Sequence, residues 1–130
     1  MSDNLSIPSR PKRVVILEDE VISALHLKKH LQQAGYVVDN PILRSSLDLE
    51  KILSPKPDIL FVDINLGIDM DGIELAKQIS SNQPIPIVLI TGYGATEIKN
   101  RAASLPIVGI LEKPVRTPLL QEILRKAGMF

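Results

Sequence analysis

The chain has 130 residues, with 15 Lys plus Arg against 15 Asp plus Glu, so its formal charge is zero; that length suits one domain with a real core, and the balance argues against a nucleic-acid-binding surface as its main business. The absence of cysteine excludes disulfide scaffolding, thiolate metal sites and thiol catalysis. The N-terminus Met1–Pro8 lacks a basic region followed by an apolar stretch, and no run approaches the ~18 apolar residues of a membrane span, so a cytoplasmic protein with no membrane partner is expected.

Residues 1–11, with Ser, Asn and two prolines, read as a flexible lead-in too polar to bury apolar area, ahead of one domain over 12–130. Arg10, Lys12 and Arg13 read as a solvated strand entry, because three charges do not make a phosphate-binding stripe. Val14–Leu17 is a β-branched-rich strand. Glu20–Ala34 follows as a helix: at ~100° per residue Val21, Ala24, Leu25, Leu27, Leu31 and Ala34 fall in one arc, and Gly35 supplies the stop. Tyr36–Asp39 is a short second strand, and Ser45–Leu53 is helical until Pro55 and Pro57 end it before the strand at Ile59–Val62. Gly72–Ile79 is a third helix, Ile85–Ile90 a fourth strand and Thr96–Ser104 a short, weakly apolar helix. Ile107–Leu111 gives a fifth strand, and Thr117–Ala127 a last helix bearing Leu119, Leu120, Ile123 and Leu124. Five strands alternating with five helices describe a doubly wound α/β domain around a parallel sheet.

Such sheets place ligands outside the carboxyl ends of their strands. Four polar signatures close apolar runs and so converge on that edge: Glu18-Asp19, Asp63, Thr91 and Lys113. Adjacent carboxylates at Glu18 and Asp19 would repel unless something positive lies between them and Asp63, and magnesium, a hard ion that takes oxygen ligands and keeps several waters, meets that need. Asp63 follows Phe61 and Val62, and an acid so close to a core is costly unless paired or metal-bound. A carboxylate can also act as a nucleophile, with an acyl phosphate as its product when it attacks phosphorus. Thr91 precedes Gly92 and could aim its hydroxyl at a phosphoryl oxygen, while Lys113, fixed by Pro114, offers a point charge toward phosphate. Each signal alone has a plainer explanation: Glu18-Asp19-Glu20 as the acidic start of a helix, Asp63 as a loop acid, Thr91-Gly92 as a turn, Lys113 as an exposed loop lysine.

Jointly the strings Val14–Glu20, Asp58–Leu66, Asp71–Leu75, Pro86–Gly92 and Leu111–Pro114 resemble the receiver domain of bacterial response regulators, over roughly residues 12 to 128. The resemblance implies a flavodoxin-like fold and phosphotransfer from histidine to aspartate. It implies Mg2+ held by Glu18, Asp19, Asp63 and the backbone carbonyl of Asn65, Asp63 as phosphoacceptor, and Thr91 and Lys113 contacting the transferred group. A sensor histidine kinase or histidine phosphotransfer protein would be the donor. The output would be docking of a downstream protein through the fourth helix, fifth strand and fifth helix, in a monomer or weak homodimer that is not an enzyme.

Several positions depart from the family pattern. Glu18 stands where aspartate is common, the loop Leu66–Met70 lacks the usual proline and is one residue longer, and Ile110 occupies the place of a Tyr or Phe that swings inward with Thr91. Thr91-Gly92-Tyr93-Gly94 is similar to a subgroup of stand-alone receivers sometimes called FAT GUY, with Gly92, Tyr93 and Ile110 as modulators; a single-domain regulator is the expectation. A phosphorylation-independent pseudo-receiver is the alternative. A phosphatase of the haloacid dehalogenase type would want an acid at Asn65 and a cap domain. His26 and His30, at i and i+4, have metal-ligand spacing but read as part of a solvated face without a third ligand. The first helix, with Lys28 and Lys29, is expected to carry kinase recognition.

Overall fold

A computed structural model describes residues 12–39, 48–66, 71–92 and 94–128. The strands are β1 (Arg13–Leu17), β2 (Val37–Val38), β3 (Ile59–Asp63), β4 (Ile87–Thr91) and β5 (Ile107–Glu112). The helices are α1 (Val21–Gln33), α2 (Leu49–Leu53), α3 (Gly72–Asn82), α4 (Ala95–Arg101) and α5 (Thr117–Lys126). All pairs are parallel, in the order β2-β1-β3-β4-β5, the flavodoxin-like doubly wound arrangement. The chain order reverses between β1 and β3, so the crevice for ligands opens beyond the ends of those two strands.

Alternation along the strands divides the core in two, because successive side chains leave opposite faces of a sheet. Val14, Ile16, Ile59, Phe61, Val88 and Ile90 meet Leu27 and Leu31 of α1 and Leu120, Ile123 and Leu124 of α5. Val15, Leu17, Leu60, Val62, Ile87 and Leu89 meet Ile52 of α2, Ile73, Ala76 and Ile79 of α3, and Ile98 of α4. With helices on both faces, every residue of β3 and β4 is buried. The register pairs Leu17 with Val62, Asp63 with Ile90 and Thr91 with Glu112, which lines the strand ends up along one edge.

Several element limits differ from the sequence reading. The α1 arc is narrower than expected: Ala24, Leu27 and Leu31 are buried, whereas Val21, Leu25 and Ala34 are exposed, since spacings of three and four keep only one stripe against the sheet. Strand β2 shrinks to two residues because the Tyr36 amide donates to the Leu31 carbonyl (3.1 Å) and so caps α1 rather than joining the ladder. Strand β4 begins at Ile87 and takes in Thr91; Pro86 has no amide to give, though its carbonyl accepts from Leu60 at 2.9 Å. Helix α3 runs on to Asn82, and α4 stops at Arg101 before a series of turns. Helix α2 starts after an Asp48 cap whose carboxylate accepts from the Glu50 amide; Ser45–Ser46–Leu47, like the lead-in over residues 1–11, lie outside the described residues. No helix among the described residues is long and apolar enough to cross a membrane.

Gly72 lets α3 begin hard against the end of β3: a Cβ there would lie 2.1 Å from the Asp63 carbonyl oxygen, while the Gly72 amide donates to the Ile64 carbonyl at 2.8 Å. Backbone cannot yield as a flexible side chain does. Gly72→Ala is therefore expected to lower stability by roughly 1–3 kcal/mol in urea melts. Gly92→Ala, where nothing lies within 4 Å of the added carbon, should stay within about 0.5 kcal/mol of the parent; equal losses would dismiss the steric account.

Candidate functional site

Four strand ends supply the site. Glu18 follows β1 and is 1% exposed, Asp63 ends β3 at 2%, and Thr91 ends β4 at 1%; these are the buried polar residues among those described. Lys113 follows β5 and reaches back across the edge of the sheet. Its amide donates to the Thr91 carbonyl (2.8 Å), which holds the start of the loop in place. Lys113–Pro114 is a cis peptide.

The Lys113 ammonium lies 2.8 Å from Asp63 Oδ2, 3.3 Å from Glu18 Oε2 and 3.3 Å from Glu20 Oε1. The positive charge that the acids require is thus supplied by the chain itself. The other oxygen of Asp63, Oδ1, accepts the Asn65 amide at 2.8 Å, and Glu18 Oε1 accepts the Glu20 amide at 3.1 Å. Asp19 is exposed on the rim of an open depression of about 400 Å3 lined by Glu18, Asp19, Glu20, Asp63, Asn65 and Lys113.

Burial pushes the Glu18 carboxyl up to about 8, helped by a hydrogen bond with Asp63 and by the Asp63 charge; the Glu20 amide and Lys113 only partly offset this. Burial alone would pull Lys113 down, but the hydrogen bond and charge of Asp63, with Glu18 behind them, hold it above its ordinary value. Glu20 is held below the usual carboxylate range by the Ser23 hydroxyl first and by Lys113 second. Glu18 therefore holds its proton more tightly than an ordinary carboxyl.

The predicted residues Glu18, Asp19, Asp63, Asn65, Thr91 and Lys113 all stand at this one edge. Gly92 follows Thr91 and is exposed. Tyr93 and the loop residues 67–70 lie outside the described residues. Ile110 is away from the acids: it is half-buried on β5 and lines a hollow of about 530 Å3 with Thr96, Lys99, Ala102, Ile107 and Gly109, between α4 and β5. Two participants escaped the sequence reading. In the sequence Glu20 reads as the acidic start of a helix, yet its carboxylate turns to Lys113. Asp71 caps α3 by accepting the Ile73 amide (2.8 Å) and also pairs with Arg101 at the end of α4, tying α4 to the segment behind Asp63. A third consecutive acid was the available signal for Glu20; the pairing of Asp71 with Arg101 left none.

The model of the response regulator receiver domain matches residues 14–125. The chain belongs to the response regulator receiver domain family. This receiver domain is 30% identical over 104 residues to the transcriptional regulatory protein PdtaR of Mycobacterium tuberculosis, covering 80% of this chain and 50% of that protein. It is 28% identical to the chemotaxis protein CheY of Thermotoga maritima, covering 90% of this chain and 98% of the relative. Among solved structures, a CheY-like receiver domain from Methanospirillum hungatei superposes with a TM-score of 0.78 at 27% identity, covering 91% of this chain and 94% of the other. The chain thus spans about half the length of the PdtaR protein it matches.

The Glu18 shift has a definite sign. Its ordinary value is 4.5 and its folded value about 8, so between those limits the folded receiver keeps a proton that the unfolded chain releases, and each rise in pH favours unfolding. Without divalent cations, the melting temperature should fall as pH rises through that window. Glu18→Gln should flatten the fall, and an undiminished slope in that variant would assign the proton elsewhere.

Proposed function

We propose that this receiver domain accepts a phosphoryl group on Asp63 from the phosphohistidine of a sensor histidine kinase or histidine phosphotransfer protein, and signals by altered docking to a downstream protein. The observation that carries the reading is the Lys113 ammonium 2.8 Å from Asp63 Oδ2 at the mouth of the parallel sheet. One Asp63 oxygen forms the bond to phosphorus as the P–N bond to imidazole breaks; the imidazole leaves with the electron pair and takes up a proton, and an acyl phosphate remains on Asp63. Lys113 stands within reach of the new phosphoryl oxygens as a point charge. Thr91, at the end of the adjacent strand, supplies a hydroxyl, and its carbonyl bond to the Lys113 amide keeps the two residues in step.

Glu18, Asp19, Asp63 and the Asn65 carbonyl would hold a magnesium ion. The donor chemistry fits: it is all oxygen, on an open depression; no group of three His, Cys, Asp or Glu side chains among the described residues is placed to hold a metal ion as it stands, but magnesium keeps several waters and needs only one or two carboxylates. Bound there, the ion would neutralise charge on the phosphoryl oxygens during transfer. Glu18 must give up its proton to serve as a ligand, so cation binding strengthens as pH rises toward 8.

The exposed side of α1 carries Val21 at 51%, Ile22 at 83% and Leu25 at 51%, an apolar strip next to the acid edge that suits the phosphodonor. The hollow between α4 and β5, lined by Ile110, suits the downstream partner, and the Asp71–Arg101 pair gives α4 a physical link to Asp63.

Incubation of the purified protein with acetyl phosphate should add one phosphoryl group by intact mass, only with magnesium and not in Asp63→Asn; no gain under any condition, including with a kinase, would reject the assignment. Lys113→Ala should cut the yield at least tenfold. Charge reversal at Lys28 and Lys29 should slow transfer from a kinase while leaving acetyl phosphate labelling unchanged; equal kinase rates would remove α1 from recognition.

A further inference from the structure

Helix α1 also carries ligating side chains that the acid cluster does not use. His26 and His30 are one turn apart, and their rings meet edge to face with centroids 4.5 Å apart and planes at 79°. The two Nε2 atoms are 3.2 Å from one another. His30 is half-buried, and its Nδ1 lies 3.3 Å from Thr117 Oγ1 in the first turn of α5. The pair is thus held at both ends: by the helix on one side and by a hydroxyl of a neighbouring helix on the other.

We propose that His26 and His30 form a two-nitrogen site for a divalent transition-metal ion of the zinc, nickel or copper class, completed by water. The spacing carries the argument. An ion 2.0–2.1 Å from each nitrogen, the usual metal–imidazole distance, would subtend an N–metal–N angle of about 100° across the 3.2 Å gap, near the tetrahedral value. The helix needs no rearrangement to present both atoms. The second contact is compatible with a free Nε2 on His30. When Nδ1–H donates to Thr117 Oγ1, Nε2 carries the lone pair, and this outer hydrogen bond is the support that metal-ligating histidines ordinarily have. Ligand chemistry separates the site from the acid cluster: neutral imidazole suits zinc, copper and nickel, whereas carboxylate and carbonyl oxygens suit magnesium.

The same nitrogens without a metal share one proton as an N–H···N bond. No third His, Cys, Asp or Glu among the described residues completes the set, so an open coordination sphere with exchangeable ligands follows. Buried Leu27 and Leu31 fix the rotation of α1 about its axis, and Thr117 stands four residues past Lys113. A bound ion would therefore staple one turn of α1, with the His30–Thr117 contact at 3.3 Å as the link from that turn to α5.

The chain contains two histidines and no cysteine, which makes the test clean. Untagged protein in excess magnesium, so that the oxygen site is saturated, would be titrated with zinc chloride by calorimetry while imidazole resonances are followed by NMR. One zinc per chain with both rings shifting is expected. His26→Gln, at an exposed position and checked for fold by circular dichroism, should weaken binding at least tenfold, Thr117→Ala should weaken it by about tenfold, and Thr117→Ser should restore it. Zinc uptake unchanged in His26→Gln, or no ring shift at millimolar zinc, would overturn the site.

Discussion

The Lys113 ammonium is the interaction on which the site depends. Three carboxylates approach it, two of them almost wholly buried. Their mutual repulsion in a partly desolvated place is offset by that one charge, and burial together with Asp63 pushes the Glu18 carboxyl upward. A buried charge left without its partner is strongly destabilising, while the pair itself contributes little net stability because desolvation cancels most of the attraction. The arrangement is therefore understood better as a poised charge balance than as a stabilising bridge. Anything that brings positive charge to the acids, or negative charge to Asp63, must redistribute Lys113.

What places the lysine there is the regularity of the sheet. Parallel register offsets the last residues of β1 and β3, and of β3 and β4, by one step each, and the apolar faces on both sides leave the polar ends nowhere to turn except the edge. Gly72 then allows α3 to start so close behind Asp63 that its amide reaches the Ile64 carbonyl. Helix, strand end and acid are thereby locked as one unit.

The fold was legible because both of its periods were clean: continuous apolar runs for strands buried on two faces, and three-four spacing for helices. The site was legible because a polar residue at the end of such a run has few structural reasons to be there. Glu20 was hidden by ambiguity, since an acid before a helix is also what the macrodipole favours; it occupies the cap position of α1 but makes no side-chain cap bond, and its oxygen turns to Ser23 and Lys113 instead. Val21 and Leu25 share the apolar arc of α1 yet stay exposed, because a helical wheel counts direction and ignores how narrow the packed stripe is. Arg101 was out of reach for another reason: its partner Asp71 is thirty residues earlier, and only the placing of α3 and α4 over the same face of the sheet brings them together.

The complete burial of β3 and β4 has a further consequence. Close-packed strands with helices on both faces have no slack, and a shift of even part of an ångström would open voids or force overlaps along the whole sheet. A charge added at Asp63 therefore cannot be absorbed by the strand that bears it. The displacement would have to be taken up by Ile64–Leu66 and by Gly92, where the backbone leaves the sheet. On the proposed function, the chemistry would be anchored and the response delegated: how far the domain changed shape would be governed by the stiffness of two short exits rather than by the acid itself.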